Sequence, residues 1–103
     1  MVTREKIEAA IRLLAQAAEP ARIALFGWYA RGDARDDSDP DLLVIEPQVE
    51  DRAKEMVRLR RVLRPLRIPA DLLVYSTEGV DRWGAQPGSA LYWALREGKV
   101  VHG

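Results

Sequence analysis

The sequence predicts a small α/β domain: a mixed β-sheet flanked by helices, in the order αβαβαβα. Three observations carry that reading. Apolar residues recur at helical spacing in two separate segments, 4–18 and 49–64. Short apolar runs alternate with them: "RIALF" at 22–26, "DLLVIE" at 41–46 and "ADLLVYS" at 70–76. No linker, repeat or low-complexity segment interrupts the alternation, so the 103 residues read as one domain, 1–103, with one modest core.

In the first segment Ile7, Ile11, Leu14 and Ala18 form one helical stripe, with Thr3 as the cap. Pro20 ends that helix. The strand 22–26 is closed by Gly27, after which "WYARG" can start a short helix. The strand 41–46 does not alternate, which predicts burial on both faces, and Pro47 stops it. The helix 49–64 is expected to turn Ala53, Met56, Val57 and Leu63 inward, and Pro65 and Pro69 bracket the turn that follows. A third strand covers 70–76. Ser89 caps a last helix that runs to about Arg96, Gly98 follows its end, and "KVVHG" offers an edge strand.

Composition narrows the chemistry. Hydrophobic residues make up 48% and charged residues 31%, the balance of a soluble globular domain. There is no cysteine, which excludes disulfides, thiolate metal sites and cysteine nucleophiles. No apolar run is long enough for a membrane span or a signal peptide, so the expected location is cytoplasmic. The net charge is zero but unevenly spread. Asp33 to Asp51 holds eight acids and one arginine, and Arg52 to Arg67 holds seven basic residues and one acid. The basic stretch reads as the solvated face of an amphipathic helix. It lacks the interleaved aromatics of a stacking platform, which argues against nucleic acid as a direct substrate.

The acids at 39–41 carry the functional reading. Alternate strand residues share a face, so Asp39 and Asp41 project together while Pro40 turns away. Two adjacent carboxylates repel unless a cation lies between them, and Mg²⁺ takes one or two carboxylates with substrate phosphates completing its shell. Taken alone, "DSDPD" is also the composition of an acidic turn. Its surroundings favour a site. Gly27 offers backbone N–H groups to a phosphate at the start of a helix. Asp71 opens the third strand in "ADLLV", an echo of "PDLLV" at 40–44. If these groups are to meet, strands one and two must run antiparallel and strands two and three parallel, with the helix 49–64 as the crossover.

Residues 26–46 resemble the signature of the DNA polymerase β-type nucleotidyltransferase superfamily, and within it the minimal nucleotidyltransferases. The matching run is "GWYARGDARDDSDPDLLV", in which Gly27, Ala30, Arg31, Gly32, Ser38, Asp39 and Asp41 fit the pattern and ten residues separate Trp28 from Asp39. The resemblance places the third carboxylate on Asp71. It implies transfer of a nucleoside monophosphate, AMP from ATP or another NTP, to an acceptor hydroxyl. In that scheme Asp39 and Asp41 hold two Mg²⁺ ions (Mn²⁺ as a substitute) about 4 Å apart. Asp71 completes the metal site on the acceptor side and helps deprotonate the acceptor. Gly27, Trp28, Arg31 and Ser38 line the nucleotide, with Arg31 equally able to serve as a surface ion pair.

One departure stands out. The family's serine after the glycine is Trp28 here, so a phosphate-binding hydroxyl is missing. A chain of this size also leaves no room for an acceptor-binding domain. The resemblance therefore implies a partner protein as acceptor, a small helical HEPN-type protein, with this chain as the antitoxin of a toxin–antitoxin pair. The alternative is a member that neutralises the same partner by contact, without chemistry. Trp83, Tyr92 and Trp93 are the candidate contact residues, and His102 is expected to be an ordinary tail residue.

Overall fold

The computed structural model describes residues 3–27 and 39–103. Helix α1 (Arg4–Ala17) starts where the hydroxyl of Thr3 accepts a hydrogen bond from the Lys6 N–H at 3.3 Å. Strands β1 (Arg22–Phe26) and β2 (Asp41–Glu46) follow. Helix α2 (Arg52–Leu63) is capped by Asp51, whose carboxylate accepts from the Lys54 N–H at 3.1 Å. A 3₁₀ turn, Arg64–Leu66, leads through Arg67, at φ 51°, toward β3 (Asp71–Ser76). Helix α3 (Thr77–Trp83) begins at once, capped by Ser76, and α4 (Ala90–Glu97) is capped by Ser89. Strand β4 (Lys99–His102) follows α4.

The sheet order is β3-β2-β1-β4. Strands β1 and β2 are antiparallel and β2 and β3 parallel, as expected from the sequence, and β4 joins the edge antiparallel to β1. The expected edge strand is therefore present, and His102 lies within it opposite Ile23.

Alternation along the central strands builds two cores. Leu42 and Val44, with Ile23, Leu72 and Val74, face α1 and α2, where Ala10, Leu14, Leu59 and Leu63 meet them. Leu43 and Ala24 face the other way, against Leu91 and Ala94 of α4. Leu42, Leu43 and Val44 are all fully buried, which is why β2 reads as a continuous apolar run.

Three details differ from the sequence reading. Helix α2 starts at Arg52 rather than at 49, because Asp51 takes the cap. Its buried positions are Leu59 and Leu63, with Met56 half-buried, whereas Ala53 is exposed and Val57 is 47% exposed. Spacings of three and four from Leu63 pass through Leu59 and Met56, and that phase leaves Ala53 and Val57 on the solvent side. Helix α3 was not anticipated; it is only seven residues long and contains Gly79, so its periodicity is weak. The short helix expected after Gly27 lies outside the described residues.

Candidate active site at one end of the sheet

The turn after β1 and the starts of β2 and β3 come together at one end of the sheet. In the antiparallel pair Phe26 stands opposite Asp41, so Gly27 lies just beyond the first residue of β2. In the parallel pair Asp41 stands beside Asp71. Neighbouring strands lie about 4.8 Å apart, and registered residues of a parallel pair point to the same face. The two carboxylates are therefore neighbours on the face that also carries Leu43 and Leu73. Asp71 is held in this register by its backbone N–H, which donates to the Pro40 carbonyl at 2.9 Å. Pro40 itself is fully buried, which anchors the acidic mouth to the core. Asp39 and Asp41 are half-buried and Asp71 is exposed.

Gly27 has φ +72°, a conformation that favours glycine. A Cβ at this position would collide with the Asp41 carboxylate at Oδ2. The side chain that glycine lacks is thus the space into which the strand-mouth carboxylate extends. This arrangement puts a carboxylate oxygen directly beside a glycine turn, a donor that a hard divalent cation would accept. Among the described residues, no three acidic or histidine side chains are already gathered as a metal cage. A hard cation completed by substrate phosphates needs only one or two carboxylates. The structure accordingly brings Gly27, Asp41 and Asp71 together, with Asp39 two residues upstream of Asp41. Trp28, Arg31 and Ser38 lie outside the described residues.

The candidate contact residues Trp83 and Trp93 are about half exposed. Tyr92 is half-buried and meets Trp93 edge to face, with ring centres 5.3 Å apart, and Arg96 lies over the Tyr92 ring at 5.1 Å. The basic stretch of α2 is mostly solvated, as expected, but two of its arginines have local partners. Arg52 Nε donates to the Val74 carbonyl at 2.6 Å, and its guanidinium stacks on the Tyr75 ring at 3.9 Å. Arg58 forks onto Glu55 at 2.6 and 2.7 Å.

One cluster was missed in the sequence: Glu46, Glu55 and Arg58, at the far end of β2. Its signal was available, since Glu46 falls on the same alternation as the buried Leu42 and Val44.

With this geometry in place, comparison with known proteins fixes the class. The nucleotidyltransferase domain family model matches residues 4–98, nearly the whole chain, and the protein belongs to that family. A protein assigned as a minimal nucleotidyltransferase shares 30% identity and a TM-score of 0.56, with 93% of this chain and 89% of that one covered. A Sulfolobus solfataricus protein assigned to the nucleotidyltransferases shares the fold at 23% identity and a TM-score of 0.53, covering 96% of this chain and 87% of that one. No curated protein sequence matches. Among the described residues, no helix is long and apolar enough to cross a membrane.

Proposed function

We propose that this protein transfers a nucleoside monophosphate, AMP from ATP, to a hydroxyl of a small helical HEPN-type partner, and acts as the antitoxin of that pair. The observation that carries the reading is the placement of Asp41, beside Asp71 in the parallel register and extended over the gap left by Gly27. In this reading a triphosphate meets the glycine turn beside these carboxylates.

Asp39 and Asp41 are the residues that would hold Mg²⁺ or Mn²⁺, which when bound supplies charge neutralisation for the phosphates. The Gly27 turn lets backbone approach the β and γ phosphates without a side chain in the way. Asp71, exposed at the start of an edge strand, is open to an acceptor. In the reaction the acceptor oxygen attacks the α-phosphorus, the bond to the bridging oxygen breaks, and pyrophosphate leaves. The hydroxyl proton passes to Asp71. The half-exposed Trp83 and Trp93 offer apolar area to the partner.

A second reading, neutralisation by contact alone, is favoured by one feature: Trp28 stands where the family has serine. Co-expression with a HEPN-type protein, followed by incubation with labelled ATP and Mg²⁺, separates the two. Label on the partner supports transfer. A stable complex that takes no label supports contact alone, and no complex and no label removes both.

A further inference from the structure

Glu46 ends β2 with its side chain on the α1 and α2 face, and the residue is only 8% exposed. Its Oε2 is buried without a hydrogen-bond partner. Its Oε1 lies 3.9 Å from Arg58 Nη2, too far for a hydrogen bond. That guanidinium is already committed, because Nε and Nη2 donate to the two oxygens of Glu55. Among the described residues, the charged groups that act on Glu46 are Glu55 and Arg58, both on α2. One cation therefore serves two carboxyl groups, and the geometry gives it to Glu55. An ionised Glu46 would be a buried charge with no bonded partner, whereas a protonated Glu46 can donate its O–H to the Glu55 carboxylate.

We infer that Glu46 and Glu55 hold one proton between them, carried on Glu46, and that its loss loosens the first turns of α2 from the end of β2. Burial first, and then the bond to Glu55, push the Glu46 carboxyl up to about 7, from an ordinary 4.5. The Arg58 fork draws Glu55 down to about 2. The sign follows from linkage. Protonated Glu46 stabilises the fold fully below pH 4.5, and that contribution is lost as pH rises toward 7. Ionised Glu55 contributes above pH 4.5 and loses its contribution as pH falls toward 2. Near neutrality, then, the seat of α2 stands close to its own titration point. Helix α2 is also the connection from β2 to β3, and so from the strand of Asp41 to that of Asp71.

Carboxyl carbon NMR of the full chain tests the shared proton directly, and does so without any nucleotide. The Glu46 signal should titrate near pH 7, and a midpoint in the ordinary range near 4.5 overturns the inference. In Glu55→Gln that midpoint should fall, since the acceptor carboxylate is gone and Arg58 is released. An unchanged midpoint would show that burial alone holds the proton, which overturns the sharing. Amide hydrogen exchange across residues 52–59, corrected for intrinsic rates, should show helix opening that rises up to about tenfold per pH unit between pH 5 and 7. Glu46→Gln should flatten that dependence, and an undiminished dependence in a folded Glu46→Gln overturns the switch. If Glu46→Gln does not fold, the titration of the parent chain decides alone.

Discussion

Asp41 and Glu46 are the first and last residues of one six-residue strand, yet their surroundings differ in kind. Asp41 lies at the open end, half-buried, beside a glycine turn and a second strand-mouth acid. Glu46 lies at the closed end, on the opposite face, under α2. An odd separation along a strand puts them on opposite sides of the sheet. The open end leaves carboxylate oxygens within reach of solvent and ligand. The closed end gives its carboxyl one half-available guanidinium and a neighbouring acid, so the group is better served by keeping its proton. The same side-chain chemistry thus meets an open, glycine-flanked setting at one end and a buried, acid-flanked one at the other.

Substitution at the open end should sharpen this contrast most. Asp39→Asn with Asp41→Asn is expected to reduce labelled AMP transfer to the partner at least ~100-fold, the scale of losing charge stabilisation in a transition state. Urea denaturation of the same variant should show that the fold survives, since neither side chain belongs to the apolar core. A large loss of stability there would break the comparison.

In stability the largest effect should come from Leu59, which is fully buried in the core that holds Leu14, Val44 and Val74. Leu59→Ala is expected to cost about 2–5 kcal/mol in the unfolding free energy. Gly27→Ala ranks next, at about 1–3 kcal/mol, because the residue must hold φ +72° and its methyl must displace the Asp41 carboxylate. Its ATP affinity, measured by calorimetry with saturating Mg²⁺, should fall together with its stability. Smallest is Val57→Ala, within about 0.5 kcal/mol by the same denaturation, since Val57 is half exposed on the far side of α2. A larger effect would mean that the exposed stripe of α2 is covered by something in solution.

Much of this fold could be read from the sequence, for identifiable reasons. The strands at 22–26 and 41–46 end at glycine and proline, so their boundaries matched to the residue. The topology followed from requiring Gly27, Asp39, Asp41 and Asp71 to meet; the observed registers place Gly27, Asp41 and Asp71 side by side, with Asp39 two residues upstream. The phase of α2 was harder to read, because Ala53 and Val57 are apolar and stand at helical spacing with Met56 and Leu63, yet lie on the solvent side. Glu46 was overlooked because one acid at the end of an apolar run looks like a strand terminus. Its meaning depends on Glu55 and Arg58, and the pairing appears only when α2 folds back over the sheet.

Arg52 has a consequence for assembly. The Asp71 N–H points to β2, so the backbone groups of residues 72, 74 and 76 turn to the outer side of β3. Arg52 occupies one of these outward carbonyls, that of Val74, and its stacking on Tyr75 holds it there. A strand arriving at β3 would have to evict a charged, partly desolvated guanidinium, whereas β4 carries the opposite margin of the sheet. Endless sheet growth needs two receptive margins on every copy. Arg52 thus guards the β3 margin against edge pairing, among the described residues, by filling the carbonyl that an incoming strand would need first.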